Sequence, residues 1–172
     1  MAQLSLILLE KIQEQVERIQ HLLSLIPPDR LDWRPQIPVG ASAEPHRVDE
    51  LLGHLLECLA GFCAVLYKAH PDRLSHFGKL RELPVNHRCR LEEAKQRIDL
   101  YQKHIAEGLA LVSDEDLQRK LPTVFVPSGE PLLTLLLGNL EHLINHKHQL
   151  FWYLKLLGAP VRTPDLYHVR GT

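Results

Sequence analysis

The chain has 172 residues, enough for one sizeable hydrophobic core and short for two domains. Apolar residues make up 45% and charged residues 24%, and a formal net charge of −1 leaves no basic footprint for nucleic acid or an anionic membrane. Histidine, with 11 residues, is the one unusual count, and composition alone fits scattered surface imidazoles as well as a metal site.

Residues 2–26 place Ile12, Val16, Ile19, Leu23 and Ile26 on one stripe with Gln13, Glu14, Glu17 and Arg18 opposite, an amphipathic helix that Pro27-Pro28 ends. The apolar run Leu6–Leu9 stops at Glu10-Lys11, too short for a signal peptide. No apolar run approaches the roughly 18–20 residues of a membrane span, and a soluble cytoplasmic protein is expected. Residues 27–46 hold five prolines and Gly40, yet Leu31, Trp33 and Ile37 are worth burying, so an ordered connection is expected. A second helix runs from Pro45 or Val48 to Ala69, with Val48, Leu51, Leu52, Leu55, Leu59, Phe62, Cys63 and Leu66 as its apolar stripe. His54 lies at the margin of that stripe.

Residues 70–88 read as a polar loop. A third helix over 89–112 carries Leu91, Ala94, Ile98, Tyr101, Ile105, Leu109 and Val112 at heptad-like spacing. Ser113 to Asp116 resembles a capping box opening a short turn, and 121–129 reads as extended chain between prolines. Cys58, Cys63 and Cys89 are odd in number and form no C-x-x-C pair, which fits free, buried thiols in a reducing compartment.

The last helix, within 130–158, is bounded by Pro131 and Gly158 and is apolar on nearly all sides. His142 and His146 lie one turn apart on one of its faces. Leu143 and Ile144 follow His142, which excludes H-E-x-x-H, and the absence of any Glu-x-x-His sets aside a di-iron carboxylate bundle. Further ligands must come from another helix, and His54 is the candidate, giving a three-nitrogen set with open positions. The competing reading is a core-margin histidine and a chance pair. Residues 159–172 form a tail anchored by Leu166 and Tyr167. Four amphipathic helices around one core, with no strand pairs and with long connections, give an all-α bundle in a single domain.

Three features carry a family resemblance: Leu31-Asp-Trp-Arg-Pro35, the helix-2 histidine in Glu50-Leu-Leu-Gly-His54-Leu, and His142-Leu-Ile-Asn-His146-Lys-His-Gln149 followed by Leu157-Gly158. With these, the chain resembles the DinB/YfiT-like superfamily over its whole length, 1–172. The resemblance implies an up-down-down-up bundle, frequent homodimers, and a divalent metal, zinc or nickel, on His54, His142 and His146. It also implies thiol-dependent chemistry, in which a transferase joins a low-molecular-weight thiol to an electrophile. A metal-dependent hydrolase and a non-catalytic metal-binding bundle are the alternatives. Glu57, one turn from His54, is a candidate base or outer partner of the site, and Asn139 and Gln149 are candidates to fix histidine tautomers. Against this stands the reading of all three as ordinary polar residues. The remaining histidines (21, 46, 70, 76, 87, 104, 148 and 168) are read as surface residues, with His148 replacing a glycine common in the family.

Overall fold

The structure, a computed structural model, describes residues 3–36 and 44–167. The expected burial of Ile37 and the surface placement of His168 fall outside these residues. Four long helices dominate: α1 (Gln3–Ser24), α2 (Val48–Ala69), α3 (Leu91–Leu111) and α5 (Leu132–Leu156). Between and after them come the short helices α4 (Asp114–Gln118) and α6 (Thr163–Leu166). Each long helix lies within two residues of the span its apolar stripe predicts. The stripe of α1 is buried through Ile12, Val16, Ile19 and Leu23, as one-faced amphipathicity requires.

Hydrogen bonds between helices set their directions. Ser5 Oγ donates to the Val112 carbonyl and Gln20 to Asp99, so α1 runs antiparallel to α3. At one end the Cys89 N–H donates to the Asp49 carbonyl, and at the other Gly108 packs on Leu66, so α2 and α3 are parallel. His54 meets His146 while Gly61 meets Asn139 further along, so α5 is antiparallel to α2. The topology is therefore up-down-down-up. Helix α2 packs along both α3 and α5, which explains its apolar composition. It is long and apolar enough to cross a membrane, contrary to the reading of the sequence, but 67% of its most apolar window is buried inside the bundle.

The connections are ordered. Residues 70–88 form three short 3-10 turns, and Ser113 caps α4 by accepting from the Asp116 N–H at 3.1 Å. The chain between α4 and α5 makes one antiparallel ladder, β1 (Lys120–Leu121) with β2 (Glu130–Pro131), where the sequence suggested no pairing. The extended reading of 121–129 holds at its edge, where only two residues on each side pair, and positive-φ Gly129 turns the chain beside them.

Residues 31–34 dock on the start of α2. The Val48 N–H donates to the Trp33 carbonyl at 2.9 Å, and the Trp33 ring stands edge-on to Tyr153 of α5 at 5.6 Å. The buried Asp49 carboxylate binds Arg47 at 2.9 Å and Arg88 at 2.5 Å, tying the starts of α2 and α3 together. Gly53 makes that closeness possible, since a Cβ there would stand 2.4 Å from the Arg88 nitrogen. Leu166 anchors the tail in the core as expected; Tyr167 stays 59% exposed and holds to α1 only through its ring, 5.6 Å from the Arg18 guanidinium.

Candidate metal centre

The antiparallel pairing of α2 and α5 brings His54 to His142 and His146. The Nε2 of His54 lies 3.3 Å from that of His142 and 3.0 Å from that of His146. In a tetrahedral shell with bonds of roughly 2.0–2.1 Å, ligand nitrogens stand about 3.3 Å apart, so the spacing is that of a coordination edge. His54 and His146 are half-buried and His142 is exposed, which leaves the cluster open to solvent on the α5 side.

The other ring nitrogens explain why the Nε2 atoms converge. His54 Nδ1 sits 3.0 Å from a Glu57 oxygen, and His146 Nδ1 sits 2.8 Å from Gln149 Oε1. Both partners accept, so both rings carry their proton on Nδ1 and present an Nε2 lone pair to the same point. Two lone pairs 3.0 Å apart repel unless a cation lies between them. The donor set therefore fits a divalent metal, and His54, Cys58, His142 and His146 together form a group able to hold one. Burial, the largest effect, pushes the His54 pKa below its ordinary value, and Glu57 opposes it. Burial likewise lowers His146 to about 4, with Gln149 opposing. Neutral imidazole is the form that binds metal.

Gln149 continues inward. Its Nε2 donates to the Tyr153 hydroxyl at 2.9 Å, and that hydroxyl donates to the His46 carbonyl at 3.0 Å. The histidine-bearing side of α5 is thus braced against the segment leading into α2. Glu57 contacts Arg81 at 3.5 Å with its second oxygen, so both ends of the carboxylate are engaged. These are the contacts of a group that orients its histidine.

Asn139 departs from the expectation. Its amide lies against Gly61, its Nδ2 is buried without a hydrogen-bond partner, and it does not reach His142. Gly61 has no side chain, so α5 settles close to α2 at that level and the amide points across the groove instead of along its own helix. Cys58, read as packing, also touches the site: its sulfur lies 3.7 Å from His142 Nδ1. The signal was its place one turn after His54. Burial, reinforced by Glu57, raises this thiol to about 12. His46, read as a surface residue, is exposed but also stacks its ring on His54 with centroids 5.1 Å apart. It sits in a proline-rich stretch with no periodicity, and nothing there could have revealed it. His148 stays outside the cluster, near Phe151 and Trp152.

A cavity of about 520 Å³ lies beside Glu57, bounded by Tyr67, Lys68, Arg81 and His87. A larger cavity, about 660 Å³, surrounds Arg47, Asp49 and Arg88; neither cavity is lined by the three histidines, and the one beside Glu57 reaches the cluster only through that carboxylate.

Fold and cluster together define a helical-bundle protein with a three-histidine group able to hold a metal. The pattern of the DinB superfamily matches residues 11–150, and the chain belongs to that family. Two solved structures are similar. A DinB-like protein from Bacillus subtilis, YjoA, is 20% identical over 90% of this chain and 94% of its own, with a TM-score of 0.66. A protein ascribed to the DinB family from Exiguobacterium sibiricum is 22% identical over 96% of this chain and 99% of its own, with a TM-score of 0.64. No curated protein is similar enough to match.

Proposed function

We propose that the protein is a cytoplasmic, zinc- or nickel-dependent enzyme that joins a low-molecular-weight thiol to a small electrophile. The observation that carries the reading is the convergence of neutral imidazole nitrogens at coordination spacing, with their proton-bearing nitrogens engaged elsewhere. A divalent ion on three neutral ligands keeps its full charge and depresses the pKa of a thiol or water reaching an open position.

The chain's own residues supply the rest. His54, His142 and His146 hold the ion, while Glu57, Cys58 and Gln149 fix their rings. Lys68 and Arg81 offer positive charge in the cavity beside Glu57, suited to the carboxylate of a small thiol. Cys58, Cys63 and Cys89 are buried thiols raised to about 12 and make poor nucleophiles, so the reacting sulfur comes from outside. In the reaction the thiol would give its proton to solvent, an S–C bond would form, and the bond from that carbon to the leaving group would break with its electron pair going to the leaving group.

The test is cobalt substitution followed by thiol addition. A charge-transfer band that appears only on adding thiol supports the reading, as does metal-dependent conjugation to a haloaromatic that is lost in His142→Ala. A band present before any thiol is added would make Cys58 a fourth ligand and the site a closed, structural one. No band and no turnover in either case would move a water-activating hydrolase ahead.

A further inference from the structure

We propose that His76, His104 and Glu107 form a second divalent-cation site, of zinc type, which ties the connection between α2 and α3 to α3 itself. One Glu107 oxygen lies 3.2 Å from His76 Nε2 and 3.7 Å from His104 Nδ1. The three ligand atoms all fall within 4.8 Å of one another. These separations bracket the roughly 3.3 Å edge of a tetrahedral shell, and two imidazoles with one carboxylate are an ordinary set for zinc, with water completing it. None of the three takes part in the first cluster.

Rigid supports hold the donors. His104 and Glu107 stand at i and i+3 on α3, so they share a face, His104 one turn after the fully buried Tyr101. His76 sits in the 3-10 turn Ser75–Phe77, whose Phe77 is 1% exposed and plugs the turn into the core. The Phe77 ring lies 4.5 Å from that of His76 and 5.0 Å from that of His104, so one buried aromatic spaces the two imidazoles. An exposed ion pair needs no such scaffold and gains little from it.

The consequence reaches the cavity beside Glu57. The connection that carries His76 also supplies Gly78, Arg81 and His87 to its wall. A cation that pins His76 to α3 therefore stiffens that wall and the Arg81 contact to Glu57, and occupancy of this site adjusts the first one without sharing a ligand.

The experiment is zinc titration of the full chain against a chromophoric chelator, with thermal unfolding in parallel. Wild type is expected to bind two equivalents, the weaker one lost in His76→Ala and in Glu107→Gln. The variant His142→Ala, His146→Ala should keep one equivalent and a zinc-dependent rise in Tm, and both should vanish when His104→Ala is added. His76 and Glu107 are exposed enough that their replacement leaves the core intact, which far-UV circular dichroism checks. A second equivalent that survives all three substitutions belongs elsewhere and overturns the proposal, as does a wild type whose bound zinc is lost entirely in His142→Ala, His146→Ala. Failure of the first site shows instead as loss of the tighter equivalent, so the two readings fail separately.

Discussion

The three candidate ligands are held by what lies behind them. His54, His142 and His146 stand out in the sequence by register, since two share a helical face and the third borders a core stripe. Their outer contacts were only half legible: Glu57 and Gln149 lie one turn from the histidine each serves, whereas His46 arrives from the proline-rich connection. Asn139, equally one turn away, faces α2 because Gly61 leaves room for it. Register shows which residues share a face but not which partner across the groove takes up a polar group. Replacing Gln149 with Leu frees the His146 tautomer and is expected to weaken metal binding about 10- to 100-fold with helix content unchanged, measured by chelator competition. The metal-free protein should also be acid-sensitive. His146 has a folded pKa of about 4, below its ordinary value near 6.5, so the unfolded chain takes up a proton that the folded one refuses. The contribution of neutral His146 is complete above pH 6.5 and is lost as pH falls toward 4, with His54 acting in the same direction. Urea midpoints of the metal-free protein at pH 7 and pH 5 should therefore differ, and His146→Ala should narrow the difference.

At the scale of the helices, periodicity located all four long elements, because each has a stripe that must meet the others. Periodicity did not show Lys147. It sits between two histidines, where a polar residue at the bundle edge is the natural expectation, yet it is only 4% exposed and donates to Gln15 of α1 at 2.9 Å. Burial, the largest cause, lowers its pKa to about 8, with Arg18 adding to the effect and Glu14 opposing it. Below pH 8 both folded and unfolded chains carry the proton, and the folded state bears the cost of enclosing the charge. From about 8 to 10.5 the unfolded chain binds more protons, so this group's contribution to stability rises with pH. Gln15→Leu alone leaves the ammonium without its acceptor and is expected to cost about 1–3 kcal/mol. The pair Gln15→Leu with Lys147→Met removes the charge as well, and should recover that loss or exceed wild type in chemical denaturation. A double variant no more stable than the single one would show that the hydrogen bond outweighs the desolvation.

For the whole molecule, the apolar surface of α5 is the feature that one chain does not absorb. The sequence suggested a helix buried all round. Within the single bundle Leu132, Leu136 and Leu140 are buried, but Leu137 is 48%, Trp152 53% and Leu156 61% exposed. At about 100° per residue these three lie within roughly 100° of the helix circumference, so they form one face. Lys155 lies over both Phe151 and Trp152, at 4.9 Å and 5.2 Å, and holds the aromatic end of the face in place. Glu141, Asn145 and His148 share that sector, so the apolar surface gathers at the Trp152–Leu156 end with Leu137 apart, and a second copy of the same face supplies a cover by two-fold symmetry. We therefore predict a homodimer through α5, with light scattering giving twice the 19.7 kDa chain mass at micromolar concentration. Trp152→Glu with Leu156→Glu should yield a monomer that retains its metal, because the three-histidine cluster uses neither side chain. A wild type that scatters as a monomer would leave this face for another partner. A double variant that stays dimeric would put the interface on a different helix, with α1 next in line through its exposed Leu6 and Ile7.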